Sequence, residues 1–246
     1  MSPPTNKSTS GKVHTSKSNY RGKTDYRIAY QDQHILVVNK PPGLLTVPIK
    51  GIKSANVEEL LARDLKYKYQ VKAAHRIDRY TSGLVAFGLH KKSHEHLKKQ
   101  FLARTPERIY LAVTKGVPES EKGNLVHYLK QIKAGFRNVV TSPNAKGAGR
   151  AELEYEVIED YGQRALVRIR LISGLKNQIR VQFAEIGYPL IGDRHYKASE
   201  KKRPEINRQA LHAAELSFLH PVNEKPVSTK ALLPPDMKRA LSAPDE

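Results

Sequence analysis

The densest group of chemistry-bearing side chains lies in residues 75–83, His-Arg-Ile-Asp-Arg-Tyr-Thr-Ser-Gly. One carboxylate, Asp78, stands between Arg76 and Arg79 and precedes a Thr-Ser-Gly turn. Neighbouring cations favour the charged form of a carboxylate. An aspartate kept ionised in this way can act as a nucleophile or stabilise a developing positive charge. The segment is equally compatible with a turn aspartate that caps backbone amides while its arginines face solvent.

Two other chemistries lack their parts. His-Arg-x-Asp also occurs in the catalytic loop of protein kinases, but no Gly-rich phosphate loop and no Asp-Phe-Gly accompany it here. His90, His94 and His96 lie close together, with His90 and His94 four residues apart, yet lysines surround them and no third ligand is evident. Cysteine is absent, which removes disulfides, thiolate metal sites and a cysteine nucleophile. No metal and no cofactor are expected.

The elements that position these residues follow from periodicity and punctuation. Residues 35–38 (Ile-Leu-Val-Val) read as a buried strand ending in the turn residues Asn39, Lys40, Pro41, Pro42 and Gly43. Asn56, with Glu59 three residues on, resembles a capping box and predicts a helix over residues 57–65. A second helix, basic on its wet face, is predicted over 90–101, and strands over 108–113 and 166–171. Residues 137–150 read as a mobile loop, and residues 197–209 as a basic loop containing proline. Over residues 177–186, Ile179, Phe183 and Ile186 share one helical face, Gly187 can close the helix, and Arg180 points away from the apolar stripe. Tyr110 falls in a strand, where it reads as a core aromatic, and Arg180 by itself reads as an exposed helix cation. Strands outnumber helices and recur at hairpin-like spacing, which predicts an α+β fold with a mixed, largely antiparallel sheet core.

The 246 residues carry 43 Lys and Arg against 24 acids, a net charge of +19. Residues 1–24 contribute five of the cations and no acid, and have almost no large apolar side chains, so they read as a disordered basic arm. The folded remainder, residues 25–240 with a short tail over 241–246, is basic in its own right. So large an excess points to a polyanionic partner, RNA or DNA before an anionic membrane. No apolar run approaches the roughly 18 residues that span a bilayer, and no secretory signal is present. A cytoplasmic monomer is expected.

Five blocks, in order, resemble the RluA-type RNA pseudouridine synthases: HILVVNKPPGLLTVP, HRIDRYTSGLVAF, FLARTPERIYLAV, SGLKNQIRVQFAEIGYPLIGDRHY and LHAAELSFLHP. The likeness extends over residues 28–233. It implies the pseudouridine synthase type of fold with a central cleft, and isomerisation of uridine in structured RNA, ribosomal or transfer, without metal or cofactor. By the same resemblance Asp78 attacks the ribose or otherwise drives glycosidic cleavage, Tyr110 is the base for a ribose proton, and Arg180 pairs with Asp78. Arg76 would fill the space left by a flipped base, Ile179 would pack by the uracil, and Lys40, in the Lys-Pro-x-Gly turn, would contact substrate. The chain departs from the family pattern at Leu175, where Arg is commoner, at Asn177, where His is, and at Tyr80, where an acid is. Non-enzymatic alternatives are an RNA-binding protein on the same fold and a basic ribosome-associated factor; an intact Asp78 disfavours the first and the five ordered blocks the second.

Overall fold

Short β-branched and aliphatic runs broken by Gly, Pro and Asn favour strands joined by turns. The computed structural model, which describes residues 26–66, 68–132, 137–196 and 206–242, has that organisation. In chain order the elements are β1 (Arg27–Gln31), β2 (Ile35–Lys40), α1 (Val57–Asp64), β3 (Lys72–Ala73), β4 (Ser82–Gly88), α2 (Lys91–Ala103), β5 (Glu107–Lys115) and β6 (Lys122–Gln131). They continue with β7 (Asn138–Thr141), β8 (Gly149–Asp160), β9 (Arg164–Leu171), α3 (Gln178–Glu185), β10 (Leu211–Leu219), β11 (Pro226–Lys230) and α4 (Pro235–Ser242). Among the described residues the strands form one mixed sheet in the order β1-β2-β4-β10-β5-β9-β8-β6-β7, with β3 paired to β4 and β11 to β10. The β4–β10 pair is parallel and the other strand pairs are antiparallel. This is the α+β, largely antiparallel core expected.

Strand β2 shows why its sequence is apolar at consecutive positions. Leu36 and Val38 pack into the main core with Val57 and Leu61 of α1, whereas Ile35 and Val37 pack on the other face with Leu97 of α2. A strand covered on both faces loses the polar–apolar alternation. The parallel contact between β4 and β10 is unusually close. A Cβ at Gly83 would lie 2.2 Å from the carbonyl oxygen of Ala213, and Gly83 has φ +115, so both sterics and backbone require glycine there.

The predicted helix starts hold to within a residue. The Asn56 side chain accepts a hydrogen bond from the Glu59 amide at 2.9 Å, and Gly187 ends α3 with φ +89. Three expectations need correction. Residues 137–150 are not simply a loop: Asn138–Thr141 add β7 as an edge strand on β6, and β8 has begun by Gly149. Helix α3 is not amphipathic in the ordinary sense, because Gln178 through Phe183 are all buried, Arg180 included. The fold also runs past residue 240, since α4 continues to Ser242 and Leu241 is buried against Val113 and Leu166. Residues 1–24, the proposed arm, lie outside the described residues, as do 197–205 of the basic loop and 243–246 of the tail. No helix among the described residues is long and apolar enough to cross a membrane.

Candidate active site

Asp78 sits in the connection from β3 to β4, which closes with a hydrogen bond from the Thr81 amide to the Asp78 carbonyl (3.1 Å). The turn after β2 holds this connection on both sides of Asp78. Thr46 Oγ1 donates to the Ile77 carbonyl (3.0 Å) and accepts from the Ile77 amide (3.3 Å). The Gly43 amide donates to the Arg79 carbonyl (2.8 Å), and Arg79 Nε donates back to the Gly43 carbonyl (2.9 Å). Lys40 completes the clamp: its ammonium donates to the carbonyls of Pro41 (3.0 Å), Leu44 (2.8 Å) and Arg79 (3.0 Å).

Lys40 is fully buried beneath the loop and does not line the cleft, which corrects its expected place in contact with substrate. Burial pushes its pKa down to about 7, against the pull of the Asp78 carboxylate. Three carbonyl acceptors are what an ammonium with three donors can satisfy. Its part is to shape the backbone that presents Asp78.

The Asp78 side chain, 26% exposed, accepts two hydrogen bonds on the same oxygen, Oδ2: from Asn177 Nδ2 at 2.7 Å and from Arg180 Nη1 at 3.1 Å. Among the described residues Oδ1 accepts none, so one oxygen is anchored and the other has no donor. Arg180, 7% exposed, is itself gripped by Asp193, 0% exposed, through Nε–Oδ2 (2.6 Å) and Nη2–Oδ1 (2.8 Å). Asp193 Oδ1 also accepts the His195 amide (2.9 Å), and the Arg180 guanidinium lies 5.2 Å from the centre of the Tyr196 ring. Burial alone would lower the pKa of Arg180, but the bonds to Asp193 and the charge of Asp78 outweigh it and raise it. The planar fork explains why arginine is needed, for one ammonium cannot hold both carboxylates in this geometry.

Asp78 opens into a cavity of about 410 Å³ that Tyr110, Ile179, Arg180 and Arg76 also line. Tyr110 comes from the middle of β5, between its partners Ile169 and Ala213, and Ile179 from the first turn of α3. Arg76 is exposed at the mouth. The structure therefore brings together Arg76, Asp78, Tyr110, Ile179 and Arg180, and leaves Lys40 behind them. Burial raises the pKa of the Tyr110 hydroxyl, with Arg108 opposing and Asp78 adding to the effect. Tyr110 is protonated at neutral pH, so it can take a proton only while passing its own on.

Sequence reasoning missed three residues of this site. Asn177 and Asp193 lie inside the fourth block, but nothing local marks them as partners of Asp78 and Arg180. Arg108, also on the cavity wall, donates from Nη2 to the carbonyls of Leu171 (3.2 Å), Ile172 (3.2 Å) and Ser173 (3.3 Å), fixing the chain just after β9. Among the described residues no group of three His, Asp or Glu side chains converges as a metal site would need.

The family model for RNA pseudouridylate synthases matches residues 34–185, a span that contains Asp78, Tyr110 and Arg180. The chain belongs to this family and is an RNA pseudouridine synthase of the RluA type. It is 35% identical over 206 residues to the dual-specificity RNA pseudouridine synthase RluA of Escherichia coli, covering 83% of this chain and 91% of that protein. It is 32% identical over 228 residues to the ribosomal large subunit pseudouridine synthase D of Zymomonas mobilis, covering 86% and 70%. In fold it is similar to the human RNA pseudouridylate synthase domain containing 4, with a TM-score of 0.71 at 22% identity over 87% of this chain and 91% of that one.

Proposed function

We propose that the enzyme converts specific uridines of structured ribosomal or transfer RNA to pseudouridine, with Asp78 as the nucleophile. The observation that carries this reading is the asymmetry of the Asp78 carboxylate. Two donors fasten Oδ2, none of the described residues donates to Oδ1, and Asp78 lines a cavity with Tyr110, Ile179 and Arg180. The excess of cations supports RNA as the partner, and one relative is named for the large ribosomal subunit.

The steps follow from that geometry. A uridine inside a helix is out of reach, so it flips into the cavity and Arg76 at the mouth takes the vacated space. Ile179 packs by the uracil. Oδ1 bonds to C1′ as the C1′–N1 bond breaks and its electron pair leaves with the uracil. The anion beside C1′ stabilises the positive charge that develops there. The uracil turns until C5 faces C1′. The C5–C1′ bond then forms while the ester bond to Asp78 breaks and its electrons return to the carboxylate. The C5 proton is finally lost and N1 gains one, so the reaction is a balanced isomerisation. In this course no ribose proton is removed, so Tyr110 serves, in place of the ribose base that the resemblance implies, as the relay for this proton, accepting one as it gives up its own.

Tritium release from RNA labelled at uridine C5 tests the assignment. Asp78→Asn removes the anion and is expected to slow release by at least about 100-fold, with RNA affinity close to wild type. Release at the wild-type rate would overturn the assignment.

A further inference from the structure

A second cavity, about 240 Å³, opens on another side of Asp78 and shares Asp78, Arg76, Asn177 and Arg180 with the first. Its own walls differ in kind. Among the described residues they add Arg79, Arg137 and Lys176, all exposed, and no acid besides Asp78. Arg180 is already bonded to two carboxylates, so the charge at the opening rests on the exposed arginines Arg76, Arg79 and Arg137. Tyr80 stands in the same wall, 50% exposed, with the Arg79 guanidinium 5.6 Å from its ring centre.

The aromatic is not on a loose tip. The Tyr80 carbonyl accepts from Nη1 of buried Arg208 (3.4 Å), and Arg208 is held in turn by both oxygens of Asp236 (2.7 and 3.0 Å). Arg79 is pinned to Gly43 by its Nε. A concave surface with several cations and one catalytic acid attracts a polyanion. A half-exposed ring on an anchored backbone offers a face on which a base can stack.

With RNA as substrate at Asp78, the flipped uridine fills the first cavity. Its neighbouring phosphodiester must then pass the point where the two cavities meet. We propose that the second cavity is a subsite for the nucleotide adjacent to the target uridine. Arg79 and Arg137 hold its phosphate, and Tyr80 stacks on its base. The proposal rests on the RNA reading above and adds to it a preference for the neighbouring nucleotide.

The test uses three short RNAs with the same target uridine: one intact, one abasic at the 5′ neighbour and one abasic at the 3′ neighbour. Removing a base while keeping its phosphate isolates stacking. The full-length enzyme is expected to bind one of the two abasic RNAs about tenfold more weakly than the intact RNA. Tyr80→Leu should bind intact RNA about as weakly and no longer distinguish that pair, and Tyr80→Phe should restore the distinction. Arg137→Ala should make the salt dependence of binding shallower by roughly 0.7 units. Equal binding of all three RNAs by the unaltered enzyme would overturn the subsite, and so would a Tyr80→Leu variant that still discriminates. Tritium release from intact RNA by the unaltered enzyme is the reference. Its absence would count against the reading of Asp78, whereas its presence with no flanking-base effect removes the subsite alone.

Discussion

At the scale of single residues, the site is a chain of three charges, Asp193–Arg180–Asp78, with a neutral amide, Asn177, at its end. Asn177 has φ 55, a conformation that Asn, Asp and Gly tolerate better than most residues. This makes a clean comparison possible. Asn177→Asp sets a second carboxylate where the amide donates at 2.7 Å, and like charges oppose ionisation. The acid limb of its pH–rate profile is expected to move to higher pH, while Asn177→Gly, which suits the backbone and carries no charge, should slow turnover without that shift. Coinciding acid limbs for Asn177→Asp and the parent would count against Asn177 as the anchor of Oδ2. Asp193 has a different task, the neutralisation of a buried guanidinium. Asp193→Asn leaves Arg180 short of its counterion and should lower unfolding free energy by about 3 kcal/mol, since breaking a buried pair strands a charge. Urea unfolding would measure it, and a midpoint unchanged from the parent would contradict the role.

At the scale of elements, the parallel β4–β10 contact joins the strand that follows Asp78 to the centre of the sheet. Besides Gly83, it is secured by Ser82 Oγ and His212 Nδ1 at 2.9 Å, both side chains buried. Burial pushes the His212 pKa down to about 4. His75, stacked on Phe101 at 4.3 Å and accepting the Ala86 amide on Nε2, is pushed down to about 3 by burial, with Arg108 adding to it. Both rings are neutral in the folded chain, whereas in the unfolded chain they take up protons below the ordinary value of 6.5. Between those limits the unfolded state binds more protons, so stability rises with pH. It is fully present above about pH 6.5 and is lost as pH falls toward 4, with His212 alone contributing on the order of 3 kcal/mol. Thermal melts from pH 7.5 to 4.5 should show this decline, and His212→Gln should flatten it. A parent whose melting temperature is level across that range would refute the buried neutral imidazoles.

At the scale of the whole molecule, charge organises the approach of RNA. The net +19 is spread along the chain, and the first 24 residues hold Lys7, Lys12, Lys17, Arg21 and Lys23 without an acid. If about three of these displace counterions from phosphates, removing residues 1–24 should make the salt dependence of RNA binding shallower by roughly two units, at about 0.7 per contact. The single-turnover rate at saturating RNA should hold, because the residues around Asp78 all come from later segments. Titrations of both forms at several salt concentrations decide it: identical slopes would show that these cations do not engage RNA.

Much of this was legible before any coordinates. The Asn56–Glu59 cap, the stop at Gly187 and the two-sided run Ile35–Val38 are local signals, written in residues that touch neighbours close in the chain or face a continuous core. The ordered motifs also picked out Asp78, Tyr110, Arg180, Arg76 and Ile179, which share one cavity. Local patterns failed where the partner was far away in sequence. Arg180 lies off the apolar stripe of α3 and reads as solvent-facing, yet the fold packs that side against Asp78, 102 residues earlier. Asn177 finds the same carboxylate across 99 residues, and no periodicity encodes such a meeting. Lys40 stands in a turn motif that resembles a binding loop, but closure of the sheet buries its ammonium among three carbonyls. Hydrophobic spacing decides which face of an element turns inward. Which polar groups then meet inside depends on how distant elements pack, because a buried charge is tolerated only where the assembled fold supplies its partner.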